Sequence, residues 1–271
     1  MKDFISFFFK GLFLFFIDSN FRTFFKLFLI YGNKKRYTEY NVSVNGFKIL
    51  TADIKSFIWQ YKEIFVDRFY QFNTTSDHPV IYDCGSNIGT SILFFSKTYP
   101  KAKIIAYEAS PYIHGILIKN IANNTISNVT AYQNAVWIKN AELEFSEEGA
   151  DSGSLHAISN TPKIKVQAVD LLEIINREDK IDLIKIDIEG AEVDLLPHIS
   201  PALHKIEKLF IEFHSFNNQE QKLDQILSIL KQNGFRYYIR HTNDRKMPFI
   251  NLGKDKEMDM QLNIFAYKIS I

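Results

Sequence analysis

The sequence predicts an α/β protein: a mostly parallel sheet with helices on both faces, preceded by a helical arm. Three observations lead there. From Pro79 onward, short apolar runs alternate with helical stretches, the rhythm of strands joined by crossover helices. A turn containing two glycines, Gly85-Ser86-Asn87-Ile88-Gly89, follows the first of these runs and opens the first of these helices. The composition, 46% hydrophobic and 23% charged over 271 residues, is that of a globular chain of one or two domains and is too apolar for a disordered one.

The arm comprises residues 1–36. Phe4–Tyr31 concentrates phenylalanine, but Lys10, Asp18, Arg22 and Lys26 interrupt it, so no run reaches the ~18–20 uncharged residues of a spanning helix. No Ala-x-Ala cleavage site follows, which argues against a signal peptide. Through Arg36 there are seven basic residues and two acidic ones, a net charge of +5, against −4 for the remainder. Two readings stay open for residues 4–31. They pack on the domain or form a homodimer contact, or they lie in the interface of an anionic membrane.

Residues 37–78 read as a mixed hairpin and helix region. Val42–Leu50 suits a hairpin, because Asn45-Gly46 favours a type I′ turn. Tyr61–Phe72 reads as a helix and Asn73–Pro79 as a polar loop. The stretch Phe57-Ile-Trp59-Gln-Tyr61 is either core or a stacking surface for a sugar. Residues 79–271 then form the main domain. Its expected strands are Val80–Cys84, Lys103–Tyr107, Val129–Gln133, Ile181–Asp187, Lys208–Phe213, Phe235–Arg240 and Leu262–Ile269. Its expected helices are Thr90–Tyr99, Ile113–Ala122, Ala191–Leu195 and Gln219–Asn233, the last stopped by Gly234. Ala141–Ala168 breaks the rhythm as a hairpin-like insertion.

Overall charge is nearly balanced, 32 basic against 31 acidic residues, which gives no reason to expect a nucleic-acid partner. One cysteine, Cys84, excludes a disulfide framework and a cysteine-based zinc site. It fits a reducing, cytoplasmic setting, at the inner face of the membrane if the arm meets lipid.

The turn after the first strand carries chemistry. Its spacing, Asp83-x-Gly85-x-Asn87-x-Gly89, departs from the dinucleotide fingerprint, and Asp83 would repel a pyrophosphate. A cationic amino group would instead be attracted. Glu108 ends the next strand, where an acid hydrogen-bonds a ribose diol. Together these describe a nucleoside with an amino-acid tail, and S-adenosylmethionine fits. Farther on, strand alternation puts Lys185, Asp187 and Glu189 on one side, and likewise Glu212 and His214. If the two strands are neighbours, these acids and the histidine share one crevice. Such a crevice suits a general base or a hard divalent cation.

Asp83-Cys-Gly-Ser-Asn-Ile-Gly89, Glu108-Ala-Ser-Pro111, Asn134-Ala-Val136, Lys185-Ile-Asp-Ile-Glu-Gly-Ala-Glu192 and Glu212-Phe-His214 resemble the FkbM-type methyltransferase family. Cys84 and Ser86 depart from its usual small residues, such as Val and Ala. The resemblance implies a class I (Rossmann-like) fold with a seven-stranded sheet whose last strand is antiparallel. It also implies transfer of a methyl group from S-adenosylmethionine, commonly to a hydroxyl of a sugar, polysaccharide precursor or other small metabolite. By carry-over, Asp83, Gly85, Ser86, Asn87 and Gly89 would line the methionine end and Glu108 would bind the ribose. Ser110, Asn134 and Ala135 would lie on the adenine side, with Asp187 facing the transfer centre. His214 is the favoured base, then Asp187, with Glu212 beside them. A divalent cation on Asp187, Glu189 and Glu212 is the alternative and is not the primary expectation. The rival functions are a nicotinamide-dependent oxidoreductase and a non-catalytic, membrane-recruited binding module.

Overall fold

The Asn45-Gly46 turn forms as its residue types dictate. Both residues have positive φ, 49° and 87°, and β1 (Tyr40–Val44) pairs antiparallel with β2 (Phe47–Thr51) across it. The computed structural model describes residues 13–148, 152–154, 163–217, 219–242, 246–251 and 258–269, with side chains omitted over 145–154. Residues 1–12, the first part of the expected arm, lie outside the described residues. Helix α1 (Ser19–Tyr31) is capped by Asp18, whose carboxylate accepts the Asn20 and Phe21 amides. It is pinned to the hairpin: the Asn45 side-chain amide donates to Asn20 Oδ1 at 2.7 Å and to the Tyr61 hydroxyl at 2.6 Å.

Helix α2 (Ile54–Tyr61) begins at its Asp53 cap and runs into a widened turn, Lys62–Val66, closed by the Asp67 amide on the Lys62 carbonyl. The helix expected over Tyr61–Phe72 therefore lies earlier in the chain. Asp53 starts it sooner, and Arg68, at φ 56°, stops it.

The main sheet starts with β3 (Val80–Cys84), α3 (Thr90–Thr98), β4 (Lys103–Tyr107), α4 (Pro111–Asn123) and β5 (Val129–Tyr132). The expected insertion is a second sheet: β6 (Ala135–Trp137), β7 (Ala141–Glu148), β8 (Ser152–Ser154) and β9 (Lys163–Asp170), with β7 and β9 antiparallel. The chain then continues through α5 (Leu171–Asn176), β10 (Leu183–Ile186), α6 (Glu192–Ile199), β11 (Lys208–Phe216), α7 (Leu223–Gln232), β12 (Arg236–His241) and β13 (Met258–Tyr267). The seven-stranded order is β12-β13-β11-β10-β3-β4-β5, and β13 alone among these runs antiparallel to its neighbours. Strands buried on both faces are continuous apolar runs, as parallel sheets require. One core packs the hairpin, α2, α3 and α4 on one face of the sheet; the other packs α5, α6 and α7 on the opposite face. The order reverses between β3 and β10, where the loops from β3 and β10 diverge and leave a crevice at the carboxyl ends.

Candidate active site

A cavity of about 780 Å³ opens at that crevice. One wall is the glycine turn. Gly85 has φ 84°, and a Cβ there would sit 1.8 Å from the Asp187 carbonyl oxygen, so only glycine lets the β3 and β10 loops touch. The turn is held by main-chain bonds: the Gly85 and Ser86 amides donate to the Tyr107 carbonyl at 3.0 and 2.9 Å. Glu108 stands at the end of β4 and accepts the Asn87 and Ser110 amides, each at 2.9 Å. Burial pushes its carboxyl up to about 7, although those two amides pull the other way. Gly85, Ser86, Asn87, Glu108, Ser110, Asn134 and Ala135 all line the cavity, as the sequence led us to expect.

Asp83 and Gly89 do not line it. The Asp83 carboxylate is fully buried, accepts the Ser91 hydroxyl, and lies 3.2 Å from Lys185 Nζ. The reason is register: Lys185 of β10 sits opposite Asp83 of β3, so both side chains rise on the same face. Lys185 also donates to the Gly85 carbonyl at 2.8 Å and pairs with Asp187 at 3.2 Å. Burial opposes its charge, but Asp187 and Asp83 outweigh that and hold the ammonium well above the usual lysine range. Asp83 thus acts on the turn from behind, through Lys185, and does not reach a ligand's amino group itself. Gly89 instead packs under α4, where a Cβ would meet the Leu117 side chain at 2.6 Å.

The floor is acidic. β10 and β11 are parallel neighbours with Ile186 beside Ile211, which brings Asp187 next to Glu212. Asp187, Glu189 and Glu212 line the cavity. Burial raises the Glu212 carboxyl well above the usual range, and the adjacent Asp187 adds to it. The Gln261 amide donates to Glu212 from β13.

His214 is placed differently from the expectation of a base at the transfer centre. It is 2% exposed and does not line the cavity. Its Nε2 faces Glu189 at 3.5 Å and its Nδ1 faces Glu192 at 3.3 Å. Burial opposes protonation, but Glu189, Glu192 and Glu212 outweigh it and hold the imidazolium well above the ordinary histidine range. A base needs the neutral ring, so the surroundings disfavour that role. Glu192 in turn accepts the Ile188 and Gly190 amides, at 3.0 and 2.9 Å. The His214–Glu192 pair therefore supports the loop that carries Asp187 and Glu189. The alternative cation set changes too. Asp187, Glu212 and His214 place ligand atoms within 4.8 Å of one another, whereas Glu189 faces the histidine.

The remaining wall comes from residues the sequence reading largely missed. Arg36, Lys55, Lys62 and Glu63 line it beside Trp59. Trp59 is exposed while Phe57 and Tyr61 are fully buried, so the aromatic stretch divides into one surface ring and two core rings. Of these, Trp59 alone carried a sequence signal, as part of the aromatic stretch Phe57–Tyr61.

A seven-stranded sheet in this order, a glycine turn after its first strand and an acid ending its second define the class I methyltransferase architecture. The methyltransferase FkbM domain matches residues 83–237, more than half of the chain, and the chain belongs to that family. Methyltransferase sdnD of Sordaria araneosa is 28% identical over 171 residues, covering 50% of this chain and 66% of that protein. Hexuronic acid methyltransferase AglP of Haloferax volcanii is 23% identical over 141 residues, 51% of this chain and 57% of that protein. The 31-O-demethyl-FK506 methyltransferase FkbM of Streptomyces tacrolimicus is 22% identical over 227 residues, 70% of this chain and 86% of that one. The chain thus spans less than two thirds of the length of the first two of these relatives.

Proposed function

We propose that this chain is an S-adenosylmethionine-dependent methyltransferase acting on a hydroxyl oxygen of a sugar, polysaccharide precursor or other small metabolite. The observation that carries this is one cavity in which a buried acid, Glu108, crowns a glycine turn opposite an acidic floor. A ribose diol asks for that acid, and a cationic nucleoside asks for that floor. The pyrophosphate of a nicotinamide cofactor would face Asp187 and Glu189 instead, and Lys185, the cation nearest the turn, is already spent on Asp83, Asp187 and Gly85. The names of two relatives, one for a hexuronic acid and one for a 31-O-demethyl acceptor, support a hydroxyl-bearing substrate. The single, buried Cys84 supports a cytoplasmic setting.

When bound, S-adenosylmethionine supplies an electrophilic methyl group on a sulfonium. The chain's own residues do the rest. The Gly85–Asn87 turn, whose amides are held by the Tyr107 carbonyl and the Glu108 carboxylate, would wall the amino-acid end, Glu108 would accept the ribose hydroxyls, and Ser110, Asn134 and Ala135 would border the base. The acceptor hydroxyl would lie over the floor, where Glu212 in its ionised form would take its proton, with Asp187 beside it. Trp59 offers a face for the acceptor's ring. Calorimetric titration with S-adenosylmethionine and with NAD tests the reading: binding of the first and not the second is expected. A second reading, favoured by the spacing of Asp187, Glu212 and His214, is a divalent cation that polarises the hydroxyl. Abolition of turnover by EDTA and its recovery with Mg²⁺ or Mn²⁺ would select that reading over Glu212 as base.

A further inference from the structure

Two exposed apolar segments lie next in the chain or in space to residues of the cavity wall. The first is α1. Its inner face buries Leu27, while Phe25, Phe28, Leu29 and Ile30 are exposed, Leu29 at 67%, with Lys26 among them. The helical residues 13–17 just before it add Phe13, Phe16 and Ile17, also exposed. This surface reaches the cavity: the Phe24 ring lies 5.8 Å from the ring of Trp59, and Trp59 is part of the cavity wall. The second follows Arg240 and Thr242, at the end of β12, which line the cavity. The chain that leaves them carries Met247, Phe249 and Ile250, and Phe249 is 92% exposed.

Charge accompanies both surfaces. Residues 13–36 hold Arg22, Lys26, Lys34, Lys35 and Arg36 against Asp18, and Lys34 and Lys35 follow α1. In the described turn 246–251, Lys246 is the charged residue. Lys55 lines the mouth as well, beside Arg36, Lys62 and Arg240, which pair with Asp53 and Asp67. Apolar side chains interleaved with cations are the signature of a surface that enters the headgroup region of an anionic bilayer. Among the described residues no helix is long and apolar enough to cross a membrane.

We propose that the cavity mouth docks on an anionic lipid bilayer, with α1 and the 246–251 turn entering its interface. Acceptors anchored in that bilayer then reach the acidic floor without leaving the lipid surface. This last step rests on the methyltransferase reading; the docking itself does not.

The test is sedimentation of the full chain with vesicles of phosphatidylglycerol in phosphatidylcholine and, separately, of phosphatidylcholine alone, with S-adenosylmethionine affinity measured on each protein. Binding to the anionic vesicles is expected, weakening as salt screens the cations. The pairs Phe25→Ser/Leu29→Ser and Phe249→Ser/Ile250→Ser should each lower it by about tenfold or more while leaving cofactor affinity unchanged. Vesicle binding without cofactor binding would keep the docking and overturn the methyltransferase reading. A cofactor-binding chain that stays in the supernatant overturns the docking. So does a dimer in light scattering that Phe25→Ser/Leu29→Ser converts to monomer, which would make this face an interface between copies.

Discussion

The two halves of the cavity are built by different means. The wall around the glycine turn is held by main-chain amides: those of Gly85 and Ser86 donate to the Tyr107 carbonyl, and those of Asn87 and Ser110 to the Glu108 carboxylate. The floor is held by buried charges from distant segments: Lys185 ties Asp83 to Asp187, and His214 sits between Glu189 and Glu192. Backbone amides cannot titrate, so in the first half Glu108 is the group that responds to pH. The second half depends on every ion keeping its partner, because an uncompensated buried charge is expensive.

Removing a partner from the floor should therefore have the largest effect. Lys185→Met leaves Asp83 and Asp187 facing each other and is expected to cost about 3–5 kcal/mol of stability, measured by urea unfolding. A loss below ~1 kcal/mol would show that the floor does not rely on that ion. Next, Glu212→Gln should lower turnover ~10²–10⁴-fold while cofactor affinity hardly moves. Equal losses in both would mean that the acid serves the cofactor and not the acceptor. On the other half, Gly85→Ala forces a Cβ against the Asp187 carbonyl at positive φ and should destabilise by about 2–3 kcal/mol, weakening cofactor binding with it. A variant of normal stability and affinity would show that the two loops separate freely.

The same contrast decides what could be read in advance. The glycine turn, Glu108, the Asn45-Gly46 hairpin and most strands were legible, because each is a local pattern whose chemistry is complete within a few residues. The crowding of Asp187 and Glu212 followed from strand parity once β10 and β11 were neighbours. What stayed hidden needed contacts across the chain. The role of Asp83 depends on a lysine 102 positions later, in register on the adjacent strand. His214 looked like a base because its sequence neighbours said nothing of Glu192, which reaches it from α6. The helix expected over Tyr61–Phe72 missed its start because the Asp53 cap was overlooked, and with it the wall formed by Lys55, Trp59 and Lys62.

The central claim is that Glu108 is the ribose acceptor of an S-adenosylmethionine site, and its titration offers the most direct test. Burial raises this carboxyl from the ordinary value to about 7, so below that pH the folded protein holds a proton that the unfolded chain, near 4.5, has released. Cofactor-free stability should accordingly fall as pH rises between those values. The ionised carboxylate is the better acceptor for two hydroxyls. Calorimetric titration with S-adenosylmethionine between pH 5.5 and 7, below the range near ~7.8 where an α-amino group titrates, should show affinity rising with pH. Glu108→Gln should bind about 10–150-fold more weakly at pH 7, the worth of a charge-assisted hydrogen bond, and lose the pH dependence. A Glu108→Gln protein that binds as tightly as the parent, with the same pH profile, would contradict the assignment.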